Sequence, residues 1–172
     1  MKIQRHAGKR DNRYRLSIVL VALAFACQSC GLLTSSNHDI EAYKPVFADA
    51  SAGNLEAVKI AVEKNRSVLK AREWDDATLL HLAVQQNQKA MAEFLLNAGS
   101  DVEAKTQDGL TALHMAAQNG NIEIIQLLLD HKAKINDVDS KGWTPLDRAT
   151  KWEHPAAADF LKAHGAQTGY AH

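Results

Sequence analysis

The apolar residues in the second half of the chain fall in short paired blocks with helical spacing. Leu113, Ala116 and Ala117 lie at i, i+3 and i+4, on one face of a helix. After Gly120-Asn121, Ile122, Ile125, Leu128 and Leu129 make the apolar face of a second helix. The same pairing returns at a fixed offset. Thr78-Leu79-Leu80-His81-Leu82-Ala83 recurs as Thr111-Ala112-Leu113-His114-Met115-Ala116, and more loosely as Thr144-Pro145-Leu146-Asp147-Arg148-Ala149, each step being 33 residues. A period of this length describes one supersecondary unit stacked several times, each copy burying its apolar face on its neighbours. Such a scaffold presents a surface and does not enclose a reaction centre.

Local chemistry marks the ends of these helices. The Thr111 hydroxyl can satisfy an orphan N–H at the start of the first helix. Gly99 and Gly165 follow their second helices, where a left-handed residue without a Cβ is favoured. Lys132 holds that place in the repeat between them, at a cost of about 1 kcal/mol if the geometry is kept. Pro155 is expected in the first turn of the last helix, where its missing N–H does no harm. Lys162 stands where a second Leu is usual, as an outward-facing polar residue of a terminal repeat would. The first unit, around Ala50 to Val58, is degenerate. Gly53 precedes Asn87 by 34 residues, which places one extra residue in the loop Asn65-Arg66-Ser67-Val68.

These residues resemble the ankyrin repeat, whose pattern is Asp-Gly-x-Thr-Pro-Leu-His-x-Ala-Ala, a Gly, a second helix ending in Leu-Leu, then Gly-Ala. Asp108-Gly109-Leu110-Thr111-Ala112-Leu113-His114-Met115-Ala116-Ala117 matches nearly all of the first part. Leu127-Leu128-Leu129, Leu95-Leu96 with Ala98-Gly99, and Gly165-Ala166 match the rest. The resemblance implies an all-α fold, an α-solenoid of about four repeats spanning 40–72, 73–105, 106–138 and 139–166, with residues 167–172 as a flexible tail. It also implies structural roles for Thr78, His81, Thr111, His114 and Thr144, the histidines bonding within and between hairpin loops.

Charge divides the chain. Six basic residues against Asp11 give residues 1–15 a charge of +5, which leaves −5 for the remainder of a neutral chain. A domain without a basic stripe is a poor phosphate-backbone binder, so no nucleic acid is expected as a partner. Residues 16–33 then run from Leu16 to Leu33 with no charge, and residues 34–39 form a polar spacer. A basic segment before an apolar run is a membrane-targeting signature, and the positive charge keeps the N-terminus cytoplasmic. Three fates are open. Cys27, after Leu23 and Ala24-Phe25-Ala26, resembles a bacterial lipoprotein site, with Cys30 a second lipidation candidate. Ala24-x-Ala26 equally fits an ordinary signal-peptidase site. The run can also stay as an uncleaved anchor, although eighteen residues barely reach the ~20 that span a bilayer. The expected location is the bacterial envelope, exported to the periplasm and held at the membrane.

Candidate chemistry is sparse. No Gly-x-Ser-x-Gly, P-loop or His-x-x-x-His occurs. His131, His154 and His164 fall at unrelated positions, so neither catalysis, metal nor cofactor is expected. The acidic pairs Asp75-Asp76 and Asp137-x-Asp139 read as solvated turns. Ankyrin proteins usually bind partners on the concave face made by hairpin tips and first helices. The resemblance assigns that face to Trp74, Asp75, Ala77, Gln85 and Gln86; then to Gln107, Asp108, Leu110, Gln118 and Asn119; then to Ser140, Lys141, Trp143, Lys151 and Trp152. All three tryptophans of the chain fall in this set, and exposed aromatics are the usual anchors of an interface. The expected activity is non-enzymatic binding of another protein by a monomer. The alternatives are an immunity-type inhibitor of a secreted toxin or lipase, and a redox or metal-linked accessory protein.

Overall fold

The computed structural model describes residues 38–169, with side chains from Ala42 onward. The basic segment 1–15, the apolar run 16–33, both cysteines and residues 170–172 lie outside the described residues.

Among the described residues, eight α-helices form four antiparallel pairs. They are α1 (His38–Ser51), α2 (Leu55–Lys64), α3 (Leu79–Gln85), α4 (Lys89–Asn97), α5 (Ala112–Gln118), α6 (Ile122–Asp130), α7 (Pro145–Lys151) and α8 (Pro155–Ala163). His38 and Asp39, expected in the spacer, already belong to α1. The extra residue of the first repeat is absorbed by a 3₁₀ helix, Arg66–Lys70, which Asn65 caps and which buries Val68 and Leu69. None of the described helices is long and apolar enough to cross a membrane.

The pairs stack in two layers. The first helices α1, α3, α5 and α7 pack in succession, and so do the second helices α2, α4, α6 and α8. Ala50, Ala83, Ala116 and Ala149 recur along the first layer, and all four are fully buried. A side chain that ends at Cβ lets each first helix approach its neighbours closely. The second helices supply the bulk. On α6 the buried face is centred on Ile124, Ile125 and Leu128, while Ile122 and Leu129 are only half-buried. The face is therefore rotated from the expected one, because α6 packs against α4 and α8 as well as its own partner α5.

Each first helix opens with the same device. Thr78 with His81, Thr111 with His114, and Thr144 with Asp147 form reciprocal capping boxes. Pro145 and Pro155 sit in the first turns of α7 and α8, where no intrahelical N–H bond is lost.

The C-terminal segment is not a free tail as far as Gly169. The Gln167 N–H donates to Asn136 Oδ1 at 2.7 Å, and the Thr144 hydroxyl donates to the Gln167 carbonyl at 2.9 Å. The Gly169 N–H donates to Asp147 Oδ2 at 2.7 Å. This corrects the expectation of a flexible tail for Gln167–Gly169. Gln167 and Gly169 thereby satisfy polar groups of Asn136, Thr144 and Asp147 in the last described hairpin and helix.

Candidate partner-binding face

The hairpins between repeats are built from one repeated set of bonds. The N–H groups of Glu73, Thr106 and Asp139 donate to the carbonyls of Ala77, Leu110 and Trp143, at 2.9, 3.0 and 3.0 Å. Successive tips are then joined. Gln107 N–H donates to the Asp75 carbonyl at 2.8 Å, and Ser140 N–H to the Asp108 carbonyl at 3.0 Å. Gly109, at φ +74°, permits this approach, because a Cβ there would stand 2.8 Å from the Ser140 nitrogen.

The buried histidines fasten this ladder to the helices. His81 Nδ1 accepts the Thr78 N–H at 3.2 Å, so Nε2 carries the proton and donates to the Leu110 carbonyl of the next hairpin at 3.1 Å. His114 repeats the arrangement with Thr111 N–H at 3.2 Å and the Trp143 carbonyl at 3.0 Å. Burial pushes both imidazoles below their ordinary pKa, against the carbonyl bonds that favour the proton. Both rings are thus held neutral, in the tautomer that bridges two repeats.

The expected face residues differ in exposure and in what they contact. Trp74, 84% exposed at its tip, and Gln85, Gln86, Gln107, Asp108, Ser140, Lys141 and Lys151 all stand in solvent. Asp75 is half-buried, its carboxylate accepting the Ala77 N–H at 3.1 Å. Leu110 is also half-buried. Asn119 serves the stack itself, its amide donating to the Val84 and Gln85 carbonyls at 3.1 and 3.2 Å. Ala77 is a correction. It is only 3% exposed, because the residue closing each hairpin turns inward and alanine is too short to emerge. At the same register Leu110 and Trp143 are large enough to be half-exposed.

Trp143 and Trp152 meet edge to face, with ring centroids 6.1 Å apart and planes at 72°. The Arg148 guanidinium lies 5.4 Å from the first ring centroid and 5.2 Å from the second. Arg148 is itself buried and fully engaged. Its Nε donates to Asp139 Oδ2 at 3.0 Å, its Nη2 pairs with the same oxygen, and its Nη1 donates to Gln118 Oε1 at 3.0 Å. Asp139 Oδ1 accepts the N–H groups of Lys141 and Trp143 at 2.7 and 3.0 Å. Burial alone would push the Asp139 carboxyl up, but Arg148 and these two N–H groups outweigh it and hold it below its ordinary value. The reading of Asp137-x-Asp139 as a solvated turn is therefore corrected at Asp139, whose side chain has no exposed surface. Asp137 pairs with Lys105 at 2.8 Å.

Sequence reasoning missed Arg148 and Asp139. A signal was present. Arg148 falls where the earlier repeats have Leu82 and Met115, and Asp139 where they have Glu73 and Thr106. A cation at an apolar register position calls for a buried counter-ion, and the hairpin supplies it.

No group of three or more His, Cys, Asp or Glu side chains arranged for a metal ion occurs among the described residues. A shallow groove of about 190 Å³ lies beside Thr150, His154, Ala158 and Lys162, smaller than the ~300 Å³ at which ligand pockets begin.

The stacked helix pairs, the hairpin ladder and the capping boxes define an ankyrin repeat solenoid. A family profile described as ankyrin repeats (3 copies) matches residues 18–106 and 99–170, and the chain belongs to the ankyrin repeat family. Ankyrin repeats are generally protein–protein interaction modules. No curated protein matches the chain.

Proposed function

We propose that this protein is a non-enzymatic binding module of the bacterial envelope that holds a partner protein on its hairpin tips and first helices. The Trp143–Trp152 pair supported by Arg148 carries the reading. Two large aromatic rings are fixed against a buried ion pair, and Trp152 remains 40% exposed. Rings that are already ordered lose little entropy on binding, and tryptophan is the residue most often found to dominate an interface. The histidine-fastened ladder orders the tips bearing Trp74, Gln107, Asp108, Ser140 and Lys141 in the same way. The envelope location rests on the basic segment 1–15 and the apolar run 16–33 with Cys27 and Cys30.

The test is an affinity pull-down from envelope extract with the parent chain and with Trp74→Ala and Trp152→Ala variants whose melting temperatures match the parent. A partner retained by the parent and lost by Trp152→Ala supports the reading. Equal retention by every variant sends the interface to the opposite side of the stack. Cell fractionation tests the location, and recovery of the chain in the cytosol would overturn it.

A further inference from the structure

The face proposed above is not uniform in charge. Its exposed acids, Asp76 and Asp108, stand on the first and second described hairpins, with Asp75 half-buried beside Asp76. The last repeat presents Lys141 at its tip and Lys151 at the end of α7, both exposed and neither in an ion pair among the described residues. Each lysine is close in sequence to one of the paired tryptophans: Lys141 precedes Trp143 by two residues at the hairpin, and Lys151 directly precedes Trp152 at the end of α7. No intramolecular hydrogen bond engages either indole N–H among the described residues.

Arg148 decides what these rings can receive. A cation lies within 6 Å of both ring centroids, so each π system already has a cation on one side. A second cation, such as a lysine or a quaternary ammonium, would compete for the same rings and meet a like charge. The Asp139 carboxylate that balances Arg148 is sealed from solvent and offers such a cation nothing. What remains accessible on the pair is apolar ring surface and indole N–H, with an ammonium group shortly before each tryptophan in the chain. Acidic neighbours are Asp108 on the preceding hairpin and Glu153 in the turn after Trp152.

We infer that the last repeat, through Trp143, Trp152, Lys141 and Lys151, seats an acidic segment of the partner protein that carries an apolar side chain. This rests on the reading of this face as the binding surface and adds the partner's chemistry. The apolar side chain covers the ring edges while carboxylates accept from the lysines and the indole N–H groups. A nucleic acid strand is also anionic, but Asp76 and Asp108 would repel a phosphate chain continuing along the tips, whereas a short acidic segment can end at the last repeat.

The three tryptophans give a direct readout, since each contributes one indole N–H resonance. The full ¹⁵N-labelled chain is assigned with single Trp→Phe variants. It is then titrated with a short acetylated, amidated peptide of alternating Glu and Leu, with its Lys-for-Glu counterpart, and with oligothymidylate. The acidic peptide is expected to move the Trp143 and Trp152 resonances saturably and leave Trp74 in place. Its affinity should fall about tenfold in Lys141→Ala/Lys151→Ala and fall again with added salt. Equal movement of these two resonances by the lysine peptide or by oligothymidylate overturns the inference, as does an acidic peptide that moves neither. If Trp152→Ala abolishes capture of an envelope partner while the acidic peptide leaves both resonances unmoved, the binding face stands and the acidic class falls.

Discussion

Gly169 donates its backbone N–H to the Asp147 carboxylate at 2.7 Å, at the place where the earlier repeats use a histidine to reach the following hairpin. The exchange is chemically consistent. His81 and His114 present an Nε2–H to a carbonyl of the next repeat, whereas Asp147, as an acceptor, requires a donor. The backbone of residue 169 supplies one, and a Cβ there would stand 2.2 Å from the Gly142 carbonyl oxygen. Gly169→Ala is therefore expected to release the segment and destabilise the last repeat by about 0.5–1.5 kcal/mol, since one hydrogen bond to the Asp147 carboxylate is lost while Thr144 still donates to it. Deletion from residue 167 should do the same or more. Urea unfolding of both variants checks this, and a stability equal to the parent's would show that the segment does not cap the stack.

The Asp139–Arg148 pair is expected to respond asymmetrically. Arg148→Ala leaves a buried carboxylate and should cost about 3–5 kcal/mol, with Asp139→Asn similar. Replacing both by apolar residues of like volume should restore most of that loss, because no buried charge is then unpaired. Denaturant midpoints of the single and double variants give the comparison. The double variant should still loosen Trp152, seen as a longer-wavelength emission, because no cation holds the two rings.

Stability should fall on mild acidification. His81 and His114 lie below their ordinary value of 6.5 in the folded state, chiefly through burial. The unfolded chain thus takes up protons first as pH falls. Their contribution is complete above about pH 6.5 and declines below it until the folded-state values are reached, by at most ~1.4 kcal/mol per pH unit for each ring. A proton on Nδ1 would also face the Thr78 or Thr111 N–H. Unfolding free energies between about pH 8 and 5.5 test the slope. Glu73, which burial and Asp75 raise from 4.5, contributes with the opposite sign. Proton titration of the two rings by NMR should give values below 6.5 for both; ordinary values would remove the cause.

Two left-handed positions occupied by side chains should be improvable. Lys132 and Glu153 have φ of 69° and 59°, and a left-handed residue with a Cβ costs about 1–2 kcal/mol. Lys132→Gly is expected to raise stability by about 1 kcal/mol, a gain reduced by the greater freedom glycine gives the unfolded chain. Glu153→Gly should behave alike. Thermal unfolding decides, and a loss of stability in both would show that these side chains make contacts worth more than the strain.

Much of the architecture was legible in the sequence, because stacking repeats convert a tertiary fold into a local period. The spacing of Thr78, Thr111 and Thr144 set the helix starts, the alanine register marked the close packing of the first layer, and Gly99, Lys132 and Gly165 marked the second-helix ends. Each of these is a constraint between residues within a few turns of one another, so a one-dimensional pattern carries it. The facing of Trp74, close to the extra residue of the first repeat, was not fixed by the period, and the structure leaves it 84% exposed.

What the sequence by itself determined was this repeating frame and the set of side chains arranged along it. Only the tertiary structure decided how the last repeat uses them. Arg148 reaches back to Gln118 on the previous first helix and down to Asp139 on its own hairpin, and Asp147 captures Gly169 from beyond α8. Ala77 turns inward where Trp143 emerges, because a common backbone register places side chains of very different length. These relationships depend on where a side chain ends in space and on which buried charge or orphaned donor it meets. The period fixes the positions of the Cα atoms; pairing, burial and side-chain length select the partners.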